Sequence, residues 1–269
     1  HRLRSSKGTH LSKKTTMMLF FKFPYYVSSA LDMLLAVKNP LTLIGNCLGR
    51  TGELQFKNGL RITTSQPLDV LIAKETIIDD TYHAQDLKSP KQIIDVGGAM
   101  GDLSLYCHHL YPKAKIIAFD PNPASQELFL RNVLANNAQK KITLYPYAVG
   151  TKRKATFYIA KYNVRSSFIK DSYSKKRITV LCKRLDDYIG KDIDLLKIDC
   201  EGAEIPILES ISGQKFPLIK KMILEYHNHL VKNQDKKITS YLKKRGFEIK
   251  QEPDPYNKDI GYIIAARQN

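Results

Sequence analysis

From Lys91 onward, short apolar runs alternate with amphipathic stretches. Ile93-Ile94, Ala114–Phe119 (AKIIAF), Ile142–Val149 (ITLYPYAV), Ile193–Ile198 (IDLLKI) and Lys221–Leu224 carry apolar residues at consecutive positions, the mark of strands buried on both faces. Between them, Leu103–Leu110, Pro123–Asn137 (apolar at Leu128, Leu130, Val133 and Leu134), the stretch after Gly202 through Ile205, Ile207 and Leu208, and Gln234–Arg245 predict helices. Phe247–Ile249 and Ile260–Ala265 predict a terminal antiparallel pair, while Ala155–Ala160 and Ile178–Leu181 predict extra strands around a basic loop with Arg165, Ser166 and Ser167. The alternation predicts an α/β fold: a mostly parallel, seven-stranded sheet closed by a C-terminal hairpin, with helices on both faces.

Upstream the pattern changes. Met17–Val37 is the most apolar segment, but Lys22, Pro24 and Asp32 interrupt it, and a membrane-spanning helix needs about 20 mostly apolar residues. Val27, Leu31, Leu34 and Leu35 have helical spacing, which predicts a helix packed on the core or capping the site, with Pro40 just past its end. Glu53–Ile72 reads as short strands around an Asn58-Gly59 turn, and Lys74–Tyr82 as a helix or loop leading to the core. The division expected is a helical and β extension over residues 1–52 and a main domain over 53–269.

With 269 residues, 43% of them apolar, the chain can bury a full core. Its formal net charge of +17 favours anionic partners: phosphorylated or diphosphate-linked molecules, a membrane surface or nucleic acid. Arg2, Arg4, Lys7, Lys13, Lys14 and Lys22 stand in an N-terminal stretch without acids, so residues 1–37 suit a peripheral membrane contact. Cys47, Cys107, Cys182 and Cys200 form no C-x-x-C, and no secretory leader pattern is visible. Reduced thiols and a cytoplasmic location follow, with the inner membrane surface as the peripheral alternative. No metal centre is expected, because Cys and His do not cluster; His108 and His109 sit together only on a predicted helix.

The chemistry concentrates at strand ends. Gln92–Gly101 (QIIDVGGAMG) predicts strand, glycine turn and helix, the geometry in which backbone N–H groups meet a ligand at close range. The glycines do not have dinucleotide spacing, since Ala99 replaces the second of G-x-G-x-x-G. Asp95, Gly97 and Gly101, with Gly98 and Ala99 between them, give D-x-G-x-x-x-G instead. An acid two residues before the first glycine suits a ligand with a positively charged amino-acid end better than a pyrophosphate. Asp120, followed by Pro121 and Asn122, ends the next strand about 25 residues on, close to the ~20 expected for a ribose-binding acid. Two carboxylates at neighbouring strand ends read as a nucleoside site, and the ligand indicated is S-adenosylmethionine. Leu195–Glu204 (LLKIDCEGAE) adds Asp199, Glu201 and Glu204 at the same sheet edge, Glu204 also being placed to cap a helix.

LLKIDCEGAE looks like the hallmark of the FkbM-type methyltransferases, and IIDVGGAMGDLSLY is similar to their cofactor loop. AFDPNP resembles their ribose-binding strand end, YAVG (with Ala148 and Val149) their third strand end, Ser166-Ser167 a serine-containing loop, KRLDDYI a TLDDY-like segment and EYH the fifth strand end. The resemblance covers about residues 55–265, with Arg184 where threonine is usual and Asp120 where many members carry Glu. It implies a Rossmann-like class I fold, S-adenosylmethionine as donor, and methyl transfer to a hydroxyl of a sugar, glycan, glycolipid or secondary metabolite. By that resemblance Asp95, Gly97, Gly98, Ala99, Gly101, Asp120, Pro121, Asn122, Ala148, Val149 and Asp199 hold the cofactor. Ser166, Ser167, Glu204 and Arg184 are its substrate-side candidates. A hydroxyl is a weak nucleophile, so a base is expected among Glu201, His227 and Asp199; a core role for His227 stays open. The rival activities are methylation of nucleic acid and non-catalytic binding on the same scaffold. Against the first, the place of an Asn/Asp-Pro-Pro-Tyr motif holds Asp-Cys-Glu-Gly; against the second, both motifs are intact.

Overall fold

The computed structural model describes residues 25, 27–160, 166–170, 172–255 and 257–267. The basic residues Arg2 to Lys22 and Arg165 lie outside that set. The chain opens with helical residues 27–36 (α1) and continues α2 (Pro40–Cys47), β1 (Gly52–Gln55), β2 (Arg61–Thr64), α3 (Pro67–Ile77) and β3 (Gln92–Val96). There follow α4 (Asp102–Leu110), β4 (Lys115–Phe119), α5 (Pro123–Ala135), β5 (Ile142–Tyr145), β6 (Ala148–Val149), β7 (Lys154–Ala160) and β8 (Ser174–Lys183). The last elements are β9 (Leu195–Ile198), α6 (Glu204–Glu209), β10 (Lys221–His227), α7 (Gln234–Lys243), β11 (Glu248–Pro253) and β12 (Ile260–Ala266).

The main sheet has seven strands in the order β11-β12-β10-β9-β3-β4-β5. The strands from β10 to β5 pair in parallel, and β12 runs antiparallel to both β10 and β11. Successive residues point to opposite faces. Ile93, Ile116, Ile142, Leu195 and Ile223 join one core with Leu103, Leu105, Phe129 and Val133 of α4 and α5. Ile94, Val96, Leu196, Ile198, Met222 and Leu224 join the other with Ile207, Leu208, Ile238 and Leu242 of α6 and α7. This two-sided burial is why the strands read as unbroken apolar runs. The chain leaves β3 toward β4 and β5, then returns to place β9 on β3's other side. The crevice at the carboxyl ends of β3 and β9 is thus a topological switch point, where α/β sheets hold ligands.

Three expectations are corrected. Ile142–Val149 is not one strand: Pro146 has no N–H to continue the ladder, so pairing with β4 ends at Tyr145. Ala148–Val149 instead pairs with Cys182–Lys183 in a three-stranded sheet, β6-β8-β7. Strand structure does not extend to Ile72. Pro67 starts α3 there, and the side chains of Gln66 and Asp69 form a capping box.

The third correction concerns the N-terminal helix. Its apolar stripe faces outward, with Leu31 56% and Leu35 70% exposed, while Ser29, Met33 and Val37 face the core at spacings of four. Polar ties fix this rotation: Tyr25 donates to Glu75 (2.6 Å), Lys74 lies 3.6 Å from Asp32, and Val37 bridges to Phe56. Pro40 begins α2 rather than trailing α1, and leaves Leu41 84% and Leu48 74% exposed. Among the described residues, no helix is long and apolar enough to cross a membrane.

Candidate active site

The turn after β3 is held by backbone contacts that constrain residue choice. The N–H groups of Gly97 and Gly98 both donate to the Phe119 carbonyl, at 2.9 and 3.0 Å. Gly97 has φ +83°, and a Cβ there would lie 1.9 Å from the Asp199 carbonyl oxygen, so only glycine fits. Gly98 and Gly101 admit the ring of Phe129, which would stand 3.0 Å from a Cβ at either. Their smallness therefore serves the seating of α5, and neither lines the cavity above.

That cavity, of about 640 Å³, is lined on one side by Gly97, Ala99, Asp120, Pro121, Asn122 and Val149. Ala99 is left-handed (φ +43°), which aims its N–H at Asp120 Oδ2 (2.8 Å), while the Asn122 N–H donates to Oδ1 (2.8 Å). A carboxylate accepts at roughly four lone-pair positions, so Asp120 keeps acceptor capacity toward the cavity. Burial pushes its pKa up to about 7 despite the two N–H bonds. Asn122 also caps α5, accepting from Ala124 at 3.2 Å, and Ala148 joins Val149 in the wall. A nucleoside with vicinal hydroxyls fits this side: one acid for the hydroxyls, apolar walls for the base.

Beneath the turn lies a buried cation the sequence reading passed over. Lys197, in the middle of β9, donates to the Gly97 carbonyl (2.6 Å) and stands 3.3 Å from Asp95 Oδ1 and 3.8 Å from Asp199 Oδ2. Burial would lower its pKa, but Asp95, Asp199 and Asp102 outweigh that and raise it. Asp95 is turned to this lysine and to Ser104 (2.7 Å) and does not line the cavity. Burial pushes neighbouring Asp102, bonded to Thr76, up to about 6. A lysine inside an otherwise apolar strand run was the signal that could have flagged this group.

The other side of the cavity is a knot of acids around one imidazole. Asp199 and Glu201 follow β9, and Glu225 and His227 end β10; all four line the cavity. His227 Nε2 lies 3.5 Å from Glu201 Oε2, 3.9 Å from Glu225 Oε1 and 4.0 Å from Asp199 Oδ1, and Nδ1 faces Glu204 Oε1 at 3.4 Å. Burial would lower the His227 pKa, but the carboxylates of Glu204, Glu225 and Glu201 raise it well above the ordinary value. Burial opposes ionisation of Asp199 too, yet Lys197 and His227 hold its carboxyl below the usual range, and Tyr82 donates to it at 3.2 Å. Glu225 is pushed well up by burial and by Asp199's charge. Glu201 has a left-handed backbone (φ +47°) followed by Gly202 (φ +98°), a turn that lifts its carboxylate toward His227.

The substrate-side candidates separate. Ser166 lines the cavity and lies 3.4 Å from Asn122 Nδ2. Ser167 does not line it; its hydroxyl donates to the Glu201 carbonyl (3.1 Å) and steadies that turn. Glu204 is fully buried and accepts from the N–H groups of Cys200 and Gly202, so it braces the turn and His227 rather than reaching the cavity. Arg184 is exposed ahead of a 3-10 turn and is not brought to the site. Tyr82 and Glu225 line the cavity without having been singled out. Tyr82 stands in no motif; Glu225 opens the EYH segment, in which only His227 was taken as a site residue.

Residues 95–249, more than half of the chain, match the family profile described as the methyltransferase FkbM domain. The chain is similar to Methyltransferase 1 of Beauveria bassiana, at 28% identity over 224 residues, covering 74% of this chain and 89% of that protein. It is also similar to the 31-O-demethyl-FK506 methyltransferase FkbM of Streptomyces tacrolimicus, at 22% identity over 234 residues, covering 72% and 88%. Among solved structures, M. capricolum TrmK in complex with S-adenosyl-homocysteine aligns at a TM-score of 0.46 and 15% identity, over 71% of this chain and 68% of that one.

Proposed function

The chain belongs to the methyltransferase FkbM family, and from that premise we propose that it methylates a hydroxyl oxygen of a sugar, glycan, glycolipid or secondary metabolite. It is a methyltransferase that uses S-adenosylmethionine, which when bound supplies a methyl group made electrophilic by a sulfonium. Gly97, Ala99, Asp120, Pro121, Asn122, Ala148 and Val149 are the residues we assign to hold it. Lys197 fixes the Gly97 carbonyl from below, and Asp95 fixes Lys197.

The observation that carries the oxygen reading is that the nucleoside-shaped wall and the acidic knot line one cavity. Aligning an acceptor there is worth about 7–11 kcal/mol in well-oriented reference systems. A hydroxyl must also lose its proton, and we assign Glu201 to take it. Oδ2 of Asp199 is committed to Tyr82 and Lys197, whereas Glu201 stands on the strained turn, steadied by His227 and Ser167. The name of the Streptomyces relative specifies an oxygen acceptor for that protein, which supports the same bond here.

The 1–52 extension is proposed to rest on a membrane carrying a lipid-linked acceptor. The exposed Leu31, Leu35, Leu41 and Leu48 favour this. A panel of free sugars, sugar nucleotides, lipid-linked glycans in anionic vesicles and RNA, incubated with ¹³C-methyl donor, tests both parts. The expected product carries an O-methyl carbon by NMR. Leu35→Glu/Leu41→Glu is expected to reduce turnover of the vesicle-bound acceptor while sparing the same headgroup free in solution. N-methylated RNA as the sole product, or equal loss on both acceptor forms, would sink the respective reading.

A further inference from the structure

Three side chains remote in sequence converge on one point of the cavity wall. The register of β9 and β10, with Ile198 opposite Leu224, sets Asp199 beside Glu225. His227 follows Glu225 by two residues and so emerges on the same face. One ligand atom from each of Asp199, Glu225 and His227 lies within 4.8 Å of the others. His227 Nε2 stands 4.0 Å from Asp199 and 3.9 Å from Glu225, too far for a hydrogen bond. Donors sharing a metal ion at bonds of about 2.0–2.2 Å stand roughly 3–4 Å apart, and these separations fall in that interval.

A second observation concerns the far side of the His227 ring, away from Asp199 and Glu225. The His227 side chain is 3% exposed, and its Nδ1 is paired with the fully buried Glu204 Oε1 at 3.4 Å. Glu204 is itself locked by two backbone N–H groups and Gln234. A buried carboxylate behind one ring nitrogen is how metal-bound histidines are oriented, and the other nitrogen faces Glu201 at 3.5 Å as well as Glu225 and Asp199. We propose that Asp199, Glu225 and His227 bind a divalent first-row cation of the Mn²⁺ type, which accepts mixed carboxylate and imidazole donors. At that position the ion would take the acceptor oxygen as a further ligand and lower its pKa, the proton passing to Glu201. That role rests on the methyl-transfer reading; the site itself does not, because it is tested without donor or acceptor.

The untagged full chain, freed of metal with EDTA, is titrated with MnCl₂, and the free aquo ion is followed by electron paramagnetic resonance. One Mn²⁺ per chain is expected. Glu225→Gln and His227→Gln should each weaken binding by roughly a hundredfold, and Glu204→Gln by about tenfold to a hundredfold. Circular dichroism establishes that each variant is folded. If a variant does not fold, crystals of the wild type soaked in MnCl₂ give the reading, as an anomalous peak between the three side chains. No saturable binding, no peak there, or unchanged binding in the folded Glu225→Gln/His227→Gln double variant overturns the site.

Discussion

Glu201→Gln is expected to lower kcat by roughly 10²–10⁴-fold, the usual worth of a positioned general base, with donor affinity left within about threefold. Glutamine keeps the size of the side chain and can still reach His227, so the strained turn has no reason to rearrange. What it loses is the ability to accept the acceptor's proton. Ser167 and Glu204 brace that turn through backbone atoms, which the substitution leaves in place. Steady-state kinetics paired with calorimetric donor binding separate the two effects. A variant with near wild-type kcat would move the base elsewhere in the knot.

The second large effect is on stability. Lys197→Met should destabilise the fold by about 3–5 kcal/mol, the cost of leaving buried charge without its partner. Methionine matches the stem and loses only the ammonium. Asp95 and Asp199 would then face each other without their shared cation, and the Gly97 carbonyl would lose its donor. Burial of Asp95 and of Lys197 itself, with Asp199 half-buried beside them, is what makes this group unlike a surface ion pair, which is worth at most about 1 kcal/mol. Urea unfolding at pH 8 measures the difference. A variant as stable as wild type would mean that the acids find protons or water instead.

The parallel sheet was legible because burial on both faces leaves an unmistakable run of apolar residues, as at β3 and β9. The closing hairpin was read separately, since β11 is exposed at most of its positions and β12 is fully buried only at alternate ones. Where one face meets solvent the signal misled: Leu31 and Leu35 have the spacing of a core stripe, yet Met33 and Val37 take that place. Periodicity gives the existence of an apolar stripe but not its partner, and the ties from Tyr25 and Asp32 that set the rotation join residues distant in sequence. Pro146 could have been read as a break in the third strand, since a missing N–H is a local property. On the nucleoside side, the glycine turn and Asp120 were visible as motif residues. Tyr82 was not, and Lys197 and Glu225, though they stand in LLKIDCEGAE and EYH, gave no sign of their role, because their partners reach the crevice through strand order rather than through spacing.

The most direct test of the account is calorimetric titration of S-adenosylmethionine into the wild type and Asp120→Ala, at pH 8 and pH 6. Ribose hydroxyls donate hydrogen bonds to a carboxylate, so binding favours ionised Asp120, whose pKa near 7 makes the ionised form scarce at pH 6. Saturable one-to-one binding is expected at pH 8, weakened about tenfold at pH 6, since the ionised fraction falls one decade per unit below the pKa. Asp120→Ala should bind far more weakly at both values and show no such pH dependence. Binding by Asp120→Ala that matches the wild type, or none by the folded wild type, would contradict the placement of the donor at the ends of β3 and β4.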